Sequence, residues 1–211
     1  MNYANAFGIE FRSTRETMHE GEAARSVSGS RHYDTQADDL WDALTNPERI
    51  PRWFLPISGD LRLGGRYQLE GHAGGKITRC DPVSALDATW EYGDNTSWVV
   101  VRLVPESDGT KLTLEHVMLK DDAGEAHWKL YGPGATGVGW ELFFLALDYH
   151  LTNNGAKIIP KESEAWMVSA NGKAFLRKSA ESWGDAHIAS GESAVIARDM
   201  AESTAKFYTG E

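Results

Sequence analysis

Between Gly65 and Met118 the chain runs as short segments of alternating apolar and polar residues, each closed by turn chemistry and spaced roughly 10 to 14 residues apart. The turn signals are Gly71 to Gly75, Asp81-Pro82, Gly93-Asp94-Asn95 and Ser107-Asp108-Gly109. Parallel strands need longer crossovers than this spacing allows, so the pattern predicts adjacent antiparallel hairpins. Alternation assigns one face to Tyr67 and Leu69, then Leu86, Ala88 and Trp90, then Val99, Val101 and Leu103, then Leu112, Leu114, His116 and Met118. That face is apolar and needs a cover.

The cover is expected in a long helix beginning near Ala135, where Trp140, Phe143, Phe144, Leu147 and Leu151 recur at helical spacing opposite Glu141 and Asp148. Asn153-Asn154-Gly155 ends it. Upstream, Ala23 to Tyr33 reads as a strand, and Thr35 offers an N-cap to a short helix with Ala37, Leu40, Trp41 and Leu44 on one side. Asn46-Pro47 starts a second short helix edged by Ile50, Trp53 and Phe54. The order of strand, two short helices, antiparallel strands and one long helix predicts an α+β domain over residues 23–155.

Residues 1–22 lack a clear period and are expected to be a flexible or loosely docked arm. Residues 156–211 are expected to form a helical extension packed on the domain, cut into three pieces at Asn171-Gly172 and Ser190-Gly191. Leu176, Ala180, Trp183 and His187 line the middle piece, and Ile196, Met200 and Phe207 line the last. A docked tail, a lid and a dimer contact are all compatible with such stripes, and the oligomeric state is left open.

The formal charge is −10, from 21 basic and 31 acidic residues. With no run of Lys or Arg, binding to nucleic acid by counterion release is not expected, nor is attraction to anionic membranes. No apolar run is long enough to span a bilayer, and Met1 to Glu22 has no basic start or continuous apolar stretch, so the expected location is cytoplasmic. Cys80 is the only cysteine, which excludes an internal disulfide and a Cys-rich zinc site.

Gly132-Pro133-Gly134-Ala135-Thr136-Gly137 satisfies the G-x-G-x-x-G pattern, but the strands around it read antiparallel and no acidic residue stands about 20 positions on. A tight entry into the long helix is expected instead, with Gly137 and Gly139 letting that helix approach the sheet. His116 lies on the apolar face, where burial favours its neutral form, and a neighbouring side chain is expected to satisfy it. The other six histidines show no metal spacing, and no G-x-S-x-G elbow is present. Asp121-Asp122 and Glu125 are read as a solvated loop, and Asn95-Thr96-Ser97 as a chance match to a glycosylation sequon. No metal, cofactor or catalytic residue is expected.

The element order resembles the helix-grip fold of the START-like (SRPBCC) superfamily. Leu40-Trp41-Asp42-Ala43-Leu44-Thr45-Asn46-Pro47, Trp53-Phe54, and Gly59-Asp60-Leu61-Arg62-Leu63-Gly64-Gly65 are similar to the opening of the family related to the C-terminal domain of the activator of the ninety-kilodalton heat-shock chaperone ATPase. Asp81-Pro82, Thr89-Trp90, Gly109-Thr110-Lys111-Leu112 and Gly139-Trp140 continue in the same order. The resemblance covers about Ala23 to Leu151.

The resemblance implies a curved antiparallel sheet gripping a long helix, with a hydrophobic pocket between them. Residues on the expected inner surfaces would line it: Trp53 and Phe54; Tyr67 and Leu69; Trp90, Val99, Val101, Leu114 and His116; and Trp140, Phe144 and Leu147. A small hydrophobic or aromatic ligand is the leading expectation, oriented by His116 or Tyr67. The alternatives are a chaperone-linked or other protein-interaction module, and a cyclase or aromatase type of enzyme. About 22 residues precede the first expected strand, so no second, upstream chaperone-binding domain is expected.

Overall fold

The computed structural model describes residues 10–211. The first nine residues of the expected arm lie outside the described part. Residues Phe11–His19, also assigned to that arm, form a strand, β1. It turns through Glu20 and Gly21, both at positive φ (49° and 90°), into β2, Glu22–Tyr33. A two-residue loop with both positions left-handed suits a tight hairpin. Thr14 is the buried residue of β1, and its hydroxyl donates to the Ser26 carbonyl at 2.9 Å. The strand is held by polar contacts, so its sequence carries no apolar alternation.

Helix α1 spans Ala37–Thr45, and a 3-10 turn follows at Ile50–Arg52. Six strands come next: β3 (Ile57–Gly59), β4 (Arg66–Leu69), β5 (Gly74–Asp81), β6 (Ala85–Tyr92), β7 (Asn95–Glu106) and β8 (Gly109–Leu119). The eight strands form one sheet in the order β1-β2-β8-β7-β6-β5-β4-β3, and every pairing from β3 to β8 is antiparallel. Helix α2 covers Asp122–Tyr131 and α3 covers Gly134–Thr152, with Asn154 and Gly155 left-handed just beyond its end. The fold is α+β, of the helix-grip class.

The Asp121-Asp122 segment is a helix start and not a loop. Asp121 caps α2 by accepting from the Gly124 N–H, and Glu125 pairs with Arg25 at 2.5 Å. Helix α3 has no wet side: no residue from Gly134 to His150 is exposed. Glu141, expected to face solvent, is 1% exposed and forms a fork with Arg12 at 2.5 and 3.0 Å. Asp148 pairs with Arg31 at 3.0 Å. A carboxylate this deeply buried is tolerable only because it is paired and hydrogen-bonded.

The extension is three helices, α4 (Pro160–Met167), α5 (Ala170–Ala189) and α6 (Ala194–Thr209). The first break falls at Val168-Ser169, where Ser169 caps α5, and not at Asn171-Gly172. Gly172 serves close approach: a β-carbon there would lie 2.0 Å from the Trp166 carbonyl oxygen. The expected stripe of α5 is buried, from Leu176 through Trp183 to His187. That of α6 is not, since Ile196 and Phe207 are 46% and 59% exposed. Its buried side is Ala197, Ala201, Thr204, Ala205 and Thr209. Small residues face α5 because the helices nearly touch, with the β-carbon position of Gly184 only 2.9 Å from Ala201 Cβ.

By contacts, the chain gathers into two compact units. One holds residues 10–29, Leu119–Leu145 and Ile159–Glu211; the other holds Ser30–Met118 and Ala146–Ile158. These units do not follow the segments 1–22, 23–155 and 156–211, because β2 and α3 each contribute to both.

Candidate functional site

In the second unit, hydrogen-bond register places the expected inner-face residues side by side. Ala88, Val99 and His116 are successive partners across β6, β7 and β8, as are Leu86, Val101 and Leu114, while Trp90 faces Ser97. Partnered residues of adjacent strands share a face, so Trp90, Val99, Val101, Leu114 and His116 form one surface. Val99, Val101, Leu114 and His116 are all at most 8% exposed, but Leu86, Ala88, Trp90 and Ser97 stay half-buried.

Polar chemistry on this surface converges on Ser97. Its hydroxyl lies 2.7 Å from His116 Nε2 and 3.1 Å from the Trp90 carbonyl oxygen. Burial pushes the His116 pKa down to about 4, so the imidazole is neutral at physiological pH. The ring meets Trp90 edge-on at 6.2 Å, and Trp90 meets the exposed His72 in the same way at 5.6 Å on its outer side. A buried neutral histidine satisfied by a neighbouring side chain is what the alternation led one to expect; the neighbour, Ser97, was not foreseen.

Tyr67 lies opposite Gly75 in the β4–β5 pair, and its hydroxyl reaches on to β6, donating to the Thr89 carbonyl at 2.8 Å. A β-carbon at Gly75 would sit 2.0 Å from that same oxygen. Glycine therefore keeps β5 and β6 close, and the tyrosine ring covers the gap. Burial raises the Tyr67 pKa, so the phenol stays protonated. Its single proton is committed to Thr89, so Tyr67 offers aromatic surface and no donor.

Leu69 is buried two residues further along β4. Trp53 is 3% exposed and donates its indole N–H to the Ala43 carbonyl at 3.0 Å, which makes it an anchor of α1; Phe54 stacks beside it and is half-buried. Leu147 is fully buried in the second unit. Trp140 (9% exposed) and Phe144 (fully buried) belong to the first unit, where the Phe144 ring rests on Gly29 of β2.

The glycine-rich segment is a packing socket. The β-carbon positions of Gly132, Gly134 and Gly137 fall against His187, Thr204 and Trp183, the last within 2.1 Å of the indole. Gly137 thus admits a side chain of α5, and Gly139 faces the Tyr208 hydroxyl, where contact with the sheet was expected. The sequence pattern reports close helix contacts, with no nucleotide chemistry required.

Two polar concavities lie elsewhere. An open cleft of about 630 Å³ in the second unit is lined by Asp39, Glu48, Arg49, Arg52 and His150 among others. His150 accepts from Arg49 Nε at 3.0 Å and donates from Nδ1 to the Ala156 carbonyl at 2.9 Å, so the ring is neutral with a fixed tautomer. Burial, aided by Arg49 and Arg52, depresses its pKa. In the first unit a recess of about 180 Å³ is bounded by Arg25, Trp128, His187 and Glu192. Arg25 covers the Trp128 ring at 4.6 Å. Among the described residues, no helix is long and apolar enough to cross a membrane.

Residues 34–152, more than half of the chain, match the profile of the activator of Hsp90 ATPase homolog 1-like protein family. The solution structure of CalU16 from Micromonospora echinospora is 31% identical, with a TM-score of 0.70 over 86% of this chain and 97% of that one. The crystal structure of CalU16 is 30% identical, with a TM-score of 0.64 over 84% and 97%. Protein MLL2253 from Mesorhizobium loti is 26% identical, with a TM-score of 0.54 over 61% of this chain and 98% of that one. The likeness to CalU16 therefore reaches beyond the span of the family profile. Among curated proteins, none matches this chain.

Proposed function

The chain belongs to the activator of Hsp90 ATPase homolog 1-like family, and we propose that it binds a small hydrophobic or aromatic ligand on the inner face of its sheet. The observation that carries this reading is uneven burial. Val99, Val101, Leu103, Leu112 and Leu114 are buried, yet Leu86, Ala88 and Trp90 on the neighbouring β6, and Tyr67 on β4, are only half-buried. Accessible apolar surface continuous with a core, with a few polar groups beside it, is the lining that small-molecule sites use. Covering about 150 Å² of it would contribute about 4 kcal/mol. In this reading Trp90 and Tyr67 contact the ligand, Val99, Val101, Leu114 and Leu69 form the floor, and Phe54 stands at the edge. Trp140, Phe144 and Leu147 shape the core helix on which the domain is built, and Trp53 holds α1 in place.

A library of fused-ring apolar compounds, followed by melting temperature and tryptophan fluorescence, tests the proposal. A ligand at about one hundred times its Kd stabilises the native state by about 2.7 kcal/mol and raises the melting temperature by several degrees. A library that moves neither signal contradicts the reading. The chaperone-linked alternative draws on the family description alone, and retention of a chaperone in a low-salt pull-down is its test.

A further inference from the structure

Resting on that reading, we infer that the ligand is a hydroxylated or amino-bearing aromatic, which donates a hydrogen bond to Ser97 Oγ. A serine hydroxyl carries one proton and two lone pairs. Two internal groups lie within hydrogen-bonding distance of Ser97 Oγ, the Trp90 carbonyl at 3.1 Å and His116 Nε2 at 2.7 Å. If the proton goes to Trp90, His116 Nε2–H donates to Oγ and one lone pair remains. If it goes to Nε2, both lone pairs remain.

In either arrangement the donor is spent inside the protein, and the capacity left to Ser97, a half-buried residue, is that of an acceptor. A ligand hydroxyl or N–H satisfies it. A ligand carbonyl or ether oxygen would meet lone pair with lone pair, and a methyl group would strip the oxygen of water without replacing the bond. Carboxylates are disfavoured as well, because neither Ser97 nor the uncharged His116 supplies a positive charge. Tyr67 does not compete for the polar group, since its hydroxyl is committed to Thr89. The neighbours Trp90, Ala88 and Val99 are apolar and fit a ring system.

The test compares 2-naphthol with 2-methylnaphthalene, in which a methyl group of nearly equal size replaces the hydroxyl, by competition for the wild-type protein and for Ser97→Ala. The Kd of 2-methylnaphthalene divided by that of 2-naphthol cancels differences in general hydrophobicity when compared between proteins. This ratio is expected to fall about threefold to tenfold on removal of the serine hydroxyl. Ser97→Thr keeps the hydroxyl and should keep the wild-type ratio, which guards against a loss that merely reflects altered packing. 2-Naphthoate should bind at least about tenfold more weakly than 2-naphthol. Both neutral compounds binding with the same ratio in wild type and Ser97→Ala would overturn the inference while leaving the binding proposal intact. Binding of neither would overturn the binding proposal itself, and the inference with it.

Discussion

The sheet face of the second unit and the helix contacts of the first both bury apolar surface, but they do so with opposite kinds of residue. Across β7 and β8 the buried residues are Val99, Val101, Leu103, Leu112 and Leu114, large or β-branched side chains at alternate positions. Gly184 of α5 lies against Ala201, and the buried side of α6 is made of small residues such as Ala197, Ala201 and Ala205. The start of α3 likewise meets α5 and α6 through Gly132, Gly134 and Gly137. Hydrogen bonds fix the spacing of strands, so side-chain size does not alter it and hydropathy marks which face is inward. Helices have no such tether, and their separation shrinks until small residues touch. Hydropathy predicts burial on the sheet and along α5, and misleads on α6.

The largest effect that could break this contrast is at Trp183, which is 1% exposed and sits in the Gly137 socket. Trp183→Ala should cost about 3–5 kcal/mol in chemical denaturation. A loss below about 1 kcal/mol would mean that the glycine socket is not a tight contact.

A mid-sized effect belongs to the sheet. Folded His116 has a pKa of about 4 against an unfolded value near 6.5, a depressed histidine. The unfolded state then takes up the proton first, so this contribution is full above about pH 6.5 and is lost as pH falls toward 4. Between pH 7 and pH 5 the loss from His116 is about 2 kcal/mol. His127, His150 and His187 are depressed by burial too and act in the same direction. His116→Gln should flatten the pH profile of the melting temperature, and an unchanged slope would remove His116 from the buried face.

The smallest effect is expected at Phe207, whose ring packs against Tyr131 and Tyr208 yet is 59% exposed. Phe207→Ala should change stability by no more than about 0.5 kcal/mol, as at ordinary surface positions. A cost near that of Trp183→Ala would restore the apolar stripe of α6 as a packing face.

The same physics explains how much could be read from the chain. The meander, its inward face, the long helix and the count of C-terminal helices follow from periodicity and turn residues. Strand β1 escaped because it presents Thr14 and Arg12 inward and turns through Glu20-Gly21, a pair with a weaker hairpin signal than Asn-Gly. Glu141 looked solvent-facing because a lone carboxylate on a helix usually is, and its partner Arg12 is distant in sequence. Ser97 gave no hydropathy signal; only its step of two from Val99 placed it on the inner face, and only the strand register sets it against Trp90 and His116.

Chemical-shift mapping of backbone amides during titration with 2-naphthol is the most direct measurement of where a ligand sits. A ligand on the inner face of the sheet would give saturable shifts concentrated at Trp90, Ser97, Val99 and His116, with the polar cleft around Arg49 and His150 unmoved. Shifts concentrated in that cleft or on the C-terminal helices, or none at saturating ligand, would contradict that placement.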